Sequence, residues 1–374
     1  MPCPDSSRAE TDPPDGPPPA WLPPPHQGLR YAGHDSLATI TRRKEHTKLE
    51  APTSIAKPSP TVASFFAGIG GFDLGFERSG FQTVWQCEIK PFCLDVLAHH
   101  WPDVPRHTDI RAVKPEDIPE ADVWAGGFPC QDISLARMGP RSGLKGIQSG
   151  LFFEFARLLA ARRPETVILE NVAGLLSSNQ GRDFGLVIRT LADLGYGVAW
   201  RVLDSRHFGV PQSRTRVFIV GSLRGPETAA SVLFEPECGD RDSEKSRSHG
   251  KKSVSPFAIS VGDSKRGFVK KLAHCLYAES ARHTGTDWSR NYVSYPEGEV
   301  RRLTPLEAER LQGFPDDWTY LPKYADDADR LDSARYHACG NAVTVNVIEW
   351  LGSRLIAAIA ADGTISEDAT EAVA

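Results

Sequence analysis

The feature that most constrains this chain is an alternation that begins at Thr61. Short apolar runs follow one another: "TVASFF", "SGFQTVWQCEI", "ADVWAGG", "ETVILENV", "YGVAWRVLDS" and "TRVFIVGSL". Each has the length and residue types of a buried strand. Helical patterns lie between several of them. "GLFFEFARLLAARRP" puts Leu151, Phe152, Phe155, Leu158 and Leu159 on one face and stops at Pro164. Alternating strands and helices fold as an α/β domain with a mainly parallel sheet covered on both faces. Ligands of such sheets sit beyond the carboxyl ends of the strands, and the unusual residues of this chain fall there.

Two stretches break the alternation. The first 60 residues hold 13 of the 29 prolines and keep no strand or helix period. Residues 1–57 are therefore expected to be a disordered, proline-rich arm. From Ser222 to Val300 the text turns polar and irregular, as in "PECGDRDSEKSRSHGKKSVSP" and "HTGTDWSRNYVSY". This divides the folded part into a main domain over 58–221, a small irregular module over 222–300, and a return to the main domain over 301–362. In the return, Thr304 caps a helix and Glu307 completes a capping box. A last apolar helix runs through "AVTVNVIEWLGSRLIAAIAA", and residues 363–374 read as a loose tail.

No apolar run approaches the roughly 20 residues of a membrane span, and no secretory signal opens the chain. The seven cysteines are scattered, odd in number and without a CxxC pair. That argues against a zinc site or a disulfide framework and for a reducing cytoplasm. The net charge of −5 does not mark a nucleic-acid binder. Yet between Arg241 and Arg290 there are 11 Lys or Arg against 5 Asp or Glu, enough to meet phosphates locally.

The strand ends carry the chemistry. "FFAGIGG" follows the first strand and opens a helical pattern, so its backbone can approach a ligand closely. Asp73 stands where a dinucleotide fingerprint wants its third glycine, which disfavours a nicotinamide oxidoreductase. Glu88 ends the second strand, placed to accept from ribose hydroxyls, and Asp109 in "HTDI" is placed to accept from an adenine amino group. The set describes an adenosyl ligand without a pyrophosphate, S-adenosylmethionine. In "GGFPCQDIS", Cys130 sits on a turn stiffened by Pro129, with Gly126 and Gly127 leaving room for a flat substrate. A thiolate there is a strong nucleophile; the other six cysteines read as inert. Glu170, after "TVIL", enters the same cleft, where a carboxyl of raised pKa can donate to a ring nitrogen. In "QSRTRVF", Arg214 and Arg216 fall on one side of a strand, able to orient a base edge or a phosphate.

In order, "FAGIGGFDLGF", "CEI", "TDI", "GGFPCQDIS", "GLFFE", "ENV", "QSRTRVF", "RRLTPLEAERLQGFP" and "GNAVTVNVIEW" resemble the motifs of the cytosine-5 DNA methyltransferases of bacteria and phages. The resemblance covers about residues 60–355 outside the variable segment 222–300. It implies a Rossmann-like S-adenosylmethionine-dependent domain plus a small target-recognition domain over 222–300. It also implies a reaction in which Cys130 adds to carbon 6 of a flipped-out cytosine and carbon 5 takes the methyl group. Glu170 would bind and protonate ring nitrogen 3, and Arg214 and Arg216 would hold the base. Phe66, Gly68, Ile69, Gly70, Gly71, Glu88, Asp109, Ile110, Pro129, Leu151, Asn341 and Val343 match cofactor-pocket positions. Gln131 and Ser134 fall in the mobile loop that closes over the base. Within the recognition segment Arg282, Thr284, Thr286 and Arg290 are candidate DNA contacts. The implied partner is double-stranded DNA, met by a monomer in the cytoplasm, with a cognate restriction endonuclease where the enzyme belongs to such a system. The chain departs from the family's habit at Thr108, at Ile89, where many members carry an aromatic, and at Cys275-Leu276, where many carry Thr-Leu. A tRNA methyltransferase of the same fold and a catalytically silent DNA binder are the rival readings. The missing Cys-Phe-Thr tripeptide disfavours the first, and the intact catalytic set the second.

Overall fold

The computed structural model describes residues 59–129, 150–235, 261–263, 268–270, 273–276, 292–294 and 300–371. The proline-rich arm expected over 1–57 lies outside them. So do Cys130, Gln131, Ser134, Arg282, Thr284, Thr286 and Arg290.

Seven strands make the main sheet: β1 (Thr61–Phe65), β2 (Gln82–Cys87), β3 (Arg106–His107), β4 (Val123–Gly127), β5 (Thr166–Val172), β6 (Gly197–Asp204) and, after the two-residue β7 (Gln212–Ser213), β8 (Thr215–Ser222). Their order is β3-β2-β1-β4-β5-β8-β6. Neighbours from β3 to β5 run parallel, whereas β8 is antiparallel to both β5 and β6. The sheet is thus mixed and mostly parallel, of the Rossmann-like α/β class. All six expected strands form. The two-residue β3 and β7 are too short to carry a period.

Alternate residues of each strand serve opposite faces. Ala63, Phe65, Trp124, Val167, Leu169, Val217 and Ile219 pack on one side with α3 (Leu151–Arg162) and α4 (Arg182–Asp193). Val62, Val123, Ala125, Ile168, Phe218 and Val220 pack on the other with α1 (Gly71–Arg78), α5 (Pro226–Leu233) and α8 (Val345–Glu371). Phe65 anchors the first layer, its ring 4.7–4.9 Å from those of Trp85, Trp124 and Phe155. A third cluster joins α2 (Pro91–His100) to α6 (Pro305–Gln312) and α7 (Ala328–Asn341) behind the glycine loop. The expected capping box is present: Thr304 Oγ1 accepts from the Glu307 N–H, and Glu307 Oε2 from the Thr304 N–H.

Two boundaries move. The alternation read as ending at Ser222 continues for one more helix, because α5 buries Ala229, Val232 and Leu233 on the sheet and Arg354 of α8 donates to the Val232 carbonyl. The tail read as loose after Asp362 is helical through Glu371. Ala357, Ala358, Ala360 and Ala361 give the turns before it high helix propensity, and the single Gly363 does not end the helix. The helical stretch Ala328–Ala360, α7 with the first part of α8, is long and apolar enough to suit a membrane span. Val347, Ile348, Leu351 and Leu355 are instead fully buried in the core.

Candidate active site

At the carboxyl end of β1 the chain turns through three residues of positive φ: Phe66 at 52°, Gly68 at 58° and Gly70 at 82°. Gly70 caps α1 in the left-handed region, and a Cβ there would lie 2.4 Å from the Trp101 ring, so only glycine fits. Val343 closes the loop from the other side, since a Cβ on Gly71 would come within 2.9 Å of it. The Ile69 carbonyl accepts the Trp318 indole N–H at 2.8 Å, and Trp318 stacks on His100 with centroids 3.4 Å apart. A Cβ on Gly68, by contrast, would meet nothing within 4 Å. The loop is clamped from behind and open in front.

Glu88 follows β2 and is buried. Its Oε2 accepts the Gly68 N–H at 2.8 Å, and its Oε1 accepts the Ile89 and Lys90 N–H groups at 2.9 and 2.8 Å. The carboxylate is thereby fixed beside the open side of the loop. Ile89 is 56% exposed, an apolar surface at the same strand end. Asp109, beyond β3, is gripped by Arg111, whose Nε and second guanidinium nitrogen both donate to it at 2.8–3.1 Å. These bonds hold the Asp109 carboxyl below its usual range. An adenine amino group reaching Asp109 has to share it with Arg111.

Not every expected pocket residue faces this space. Ile110 is core, Leu151 opens α3 and packs half-buried, and the exposed Asn341 donates to the His337 carbonyl at 3.1 Å. Beneath the loop, Asp73 is fully buried and accepts from Ser64 Oγ at 3.0 Å and Gln86 Nε2 at 2.9 Å. Burial raises its carboxyl from 3.8 to about 6, against both hydrogen bonds.

The other end of the cleft lies where β4, β5 and β8 meet. Gly126 and Gly127, expected to make room for a substrate, make room for neighbours. A Cβ on Gly126 would sit 2.4 Å from the Phe65 carbonyl oxygen, and one on Gly127 2.9 Å from Glu170 Oε2. Asn171 donates to the Phe128 carbonyl at 2.8 Å and so pins the turn two residues before Cys130. Pro129, the last described residue of that turn, is exposed. Glu170 Oε1 meets Arg216 Nε at 2.9 Å, both side chains being 12–14% exposed.

Arg214 and Arg216 do not share a task. Arg214 falls in the break between β7 and β8, outside the strand whose period was to align the pair. Its guanidinium is buried and donates to the Leu276, Gly340 and Ala342 carbonyls at 3.1, 3.2 and 2.7 Å, and to Cys275 Sγ at 3.3 Å. It holds the walls of the cleft. Gln212, to which the motif reading gave no role, does likewise: it accepts from the Leu276 N–H at 2.8 Å and donates to the Leu311 carbonyl at 2.9 Å. Of the cysteines read as inert, Cys87, Cys93 and Cys339 are buried and burial raises their thiols, the first two to about 12. Cys275 is half-exposed.

A fold of this kind, with a glycine cradle at one end of the strand edge and a Glu–Arg pair at the other, is that of a methyltransferase. The C-5 cytosine-specific DNA methylase family model matches residues 61–254 and 239–357. The chain is 34% identical over 316 residues to the Type II methyltransferase M2.BsuMI of Bacillus subtilis (strain 168), covering 79% of this chain and 75% of that one. It is 35% identical over 301 residues to the Type II methyltransferase M.NgoBI of Neisseria gonorrhoeae, covering 76% and 89%. In fold it is similar to the Dnmt2 methyltransferase of S. pombe, with a TM-score of 0.57 at 19% identity over 80% of this chain and 99% of that one. The chain belongs to the C-5 cytosine-specific DNA methylase family and is a DNA (cytosine-5) methyltransferase.

Proposed function

We propose that this enzyme methylates carbon 5 of a cytosine flipped out of a specific double-stranded DNA sequence, with Cys130 as the nucleophile and S-adenosylmethionine as the donor. The observation that carries the reading is the Glu170–Arg216 pair at 2.9 Å, with Glu170 on β5 beside the strand that leads into Cys130 and Arg216 on β8, the next strand over. The target atoms of cytosine are out of reach inside a stacked duplex, so the base has to leave it. Glu170 binds the ring at nitrogen 3 and donates a proton there, while Arg216 orients Glu170 and the ring. That draws electrons from carbon 6, to which the Cys130 thiolate adds, making carbon 5 nucleophilic. Carbon 5 then takes the methyl group as the sulfonium–methyl bond breaks and leaves a neutral thioether. Loss of the carbon 5 proton to water expels the Cys130 thiolate, and nitrogen 3 returns its proton to Glu170, which restores the ring.

The residues present suit the donor. Glu88 is fixed to accept from the ribose hydroxyls, Asp109 from the adenine amino group, and the open side of Gly68 admits the cofactor's amino-acid end. S-adenosylmethionine supplies a methyl group made electrophilic by a sulfonium. Residues 222–300, less the helix α5, form the target-recognition domain, where Arg282, Thr284, Thr286 and Arg290 read base edges; Gln131 and Ser134 close over the flipped base. The likeness to Type II methyltransferases supports a cytoplasmic role in a restriction-modification system, alongside a cognate endonuclease.

Bisulfite sequencing of DNA from cells producing the protein is the test. A single methylated sequence word is expected, and it should change when residues 236–300 are exchanged for those of a relative. Unmethylated DNA with methylated cytosines in RNA would overturn the reading.

A further inference from the structure

One described side chain outside the catalytic set reaches the Glu170–Arg216 pair from a remote part of the sequence. Residues Ala273–His274 form a two-residue strand that pairs in parallel with β7. The Ala273 N–H donates to the Pro211 carbonyl at 2.9 Å, and the Leu276 N–H to Gln212 at 2.8 Å. The backbone on both sides of Cys275 is thus fixed to the segment that leads into β8. The Cys275 thiol lies toward the Leu276 carbonyl at 3.5 Å. Its sulfur faces two guanidinia: Arg214 donates at 3.3 Å and Arg216 at 3.8 Å.

The two arginines depend on that sulfur to different degrees. Arg214 keeps three carbonyl acceptors without it. Arg216 has its Nε on Glu170 and one terminal nitrogen on the Thr215 carbonyl at 2.9 Å; the other terminal nitrogen is the one at Cys275. A guanidinium is a rigid planar fork, so holding its far nitrogen fixes the direction of Nε. Sulfur is a weak acceptor, but a cationic donor strengthens the bond.

We propose that Cys275 is a positioning residue for the Arg216–Glu170 pair, its sulfur holding the far arm of the Arg216 guanidinium so that Nε stays on Glu170. The recognition segment thereby reaches the catalytic carboxylate through one thiol. This rests on the function proposed above, since it concerns how that same pair is held.

The test compares Cys275→Val, which fills the volume without an acceptor, with Cys275→Ser, which keeps both an acceptor and a donor. Steady-state methylation of DNA is measured alongside S-adenosylmethionine affinity and thermal unfolding. For Cys275→Val, kcat is expected to fall about fivefold, on the order of 1 kcal/mol. Cofactor affinity and Tm should stay at the wild-type values. Cys275→Ser is expected to return kcat to within about twofold of wild type. A valine variant with wild-type kcat overturns the inference. So does a serine variant as impaired as the valine one, which would make the role one of packing. Wild-type protein that fails to methylate DNA would instead condemn the functional reading, so the two failures are distinguishable.

Discussion

The two ends of the cleft are built differently. At the cofactor end the residues offered to the ligand come from one stretch of sequence: the 66–71 loop, Glu88 and Asp109 close three neighbouring strands, and Glu88 bonds directly to Gly68, while Val343 and Trp318 back the loop from far along the chain. At the base end Glu170 and Arg216 meet across 46 residues, and the cleft walls come from 275–276 and 340–342, tied down by Arg214. The ligand-facing side of the cofactor end is set largely once its strands pair. A site assembled from distant segments is only as well placed as the contacts between them, and so it can be sensitive to residues that touch no substrate.

That contrast can be broken most forcefully at Glu170. Glu170→Gln removes the proposed proton donor and weakens the hold of Arg216 while leaving the cofactor end intact. Its kcat is expected to fall about 10²–10⁴-fold, the usual worth of a general acid, with unchanged S-adenosylmethionine affinity by calorimetry. Loss of cofactor binding in that variant would show that the two ends are not separable.

Glu88→Ala is the converse. Losing one charged hydrogen bond to the ribose is expected to weaken cofactor binding by about 1.5–3 kcal/mol, roughly 10- to 150-fold. Saturating cofactor should restore most of kcat. Unchanged affinity would place the ribose elsewhere.

The smallest effect on activity, and a sharper probe of how the cofactor end is built, comes from Asp73. Its carboxyl is raised from 3.8 to about 6, chiefly by burial. Between those values the folded protein keeps a proton that the unfolded chain releases, so stability falls as pH rises through the window. Above it the charged form costs up to ~3 kcal/mol. Asp73→Asn can retain both hydrogen bonds without the charge. It is expected to unfold at a higher temperature than wild type at pH 8, with the gap narrowing toward pH 4 and cofactor affinity within about twofold. An equal gap at both pH values would remove the buried charge as the cause.

The same contrast governs what the sequence discloses. The six long strands are legible because apolar alternation and flanking turns are local signals, and Glu88 and Glu170 are legible because they end strands. Arg214 is not. Its spacing from Arg216 suggests a shared face, yet β7 has already left the main sheet and the guanidinium turns toward carbonyls 62 to 128 residues away. The roles of Gln212 and Cys275 depend on the same long-range contact. Trp101 and Trp318 clamp the glycine loop from α2 and from the turn after α6, and no pattern around "FFAGIGG" announces them. The two glycines before Phe128 are legible as a close approach, but not as one to Phe65 and Glu170.

In the proposed mechanism the base end works by covalent addition of Cys130 to a cytosine held by Glu170 and Arg216. DNA carrying 5-fluorocytosine at the methylated position has no proton for the enzyme to remove, so the adduct should persist. Incubated with S-adenosylmethionine, the wild-type protein is expected to run as a DNA-bound species on a denaturing gel, and Cys130→Ser to run free. An adduct that survives in Cys130→Ser, or a wild-type enzyme that methylates ordinary DNA yet never traps, would contradict the account.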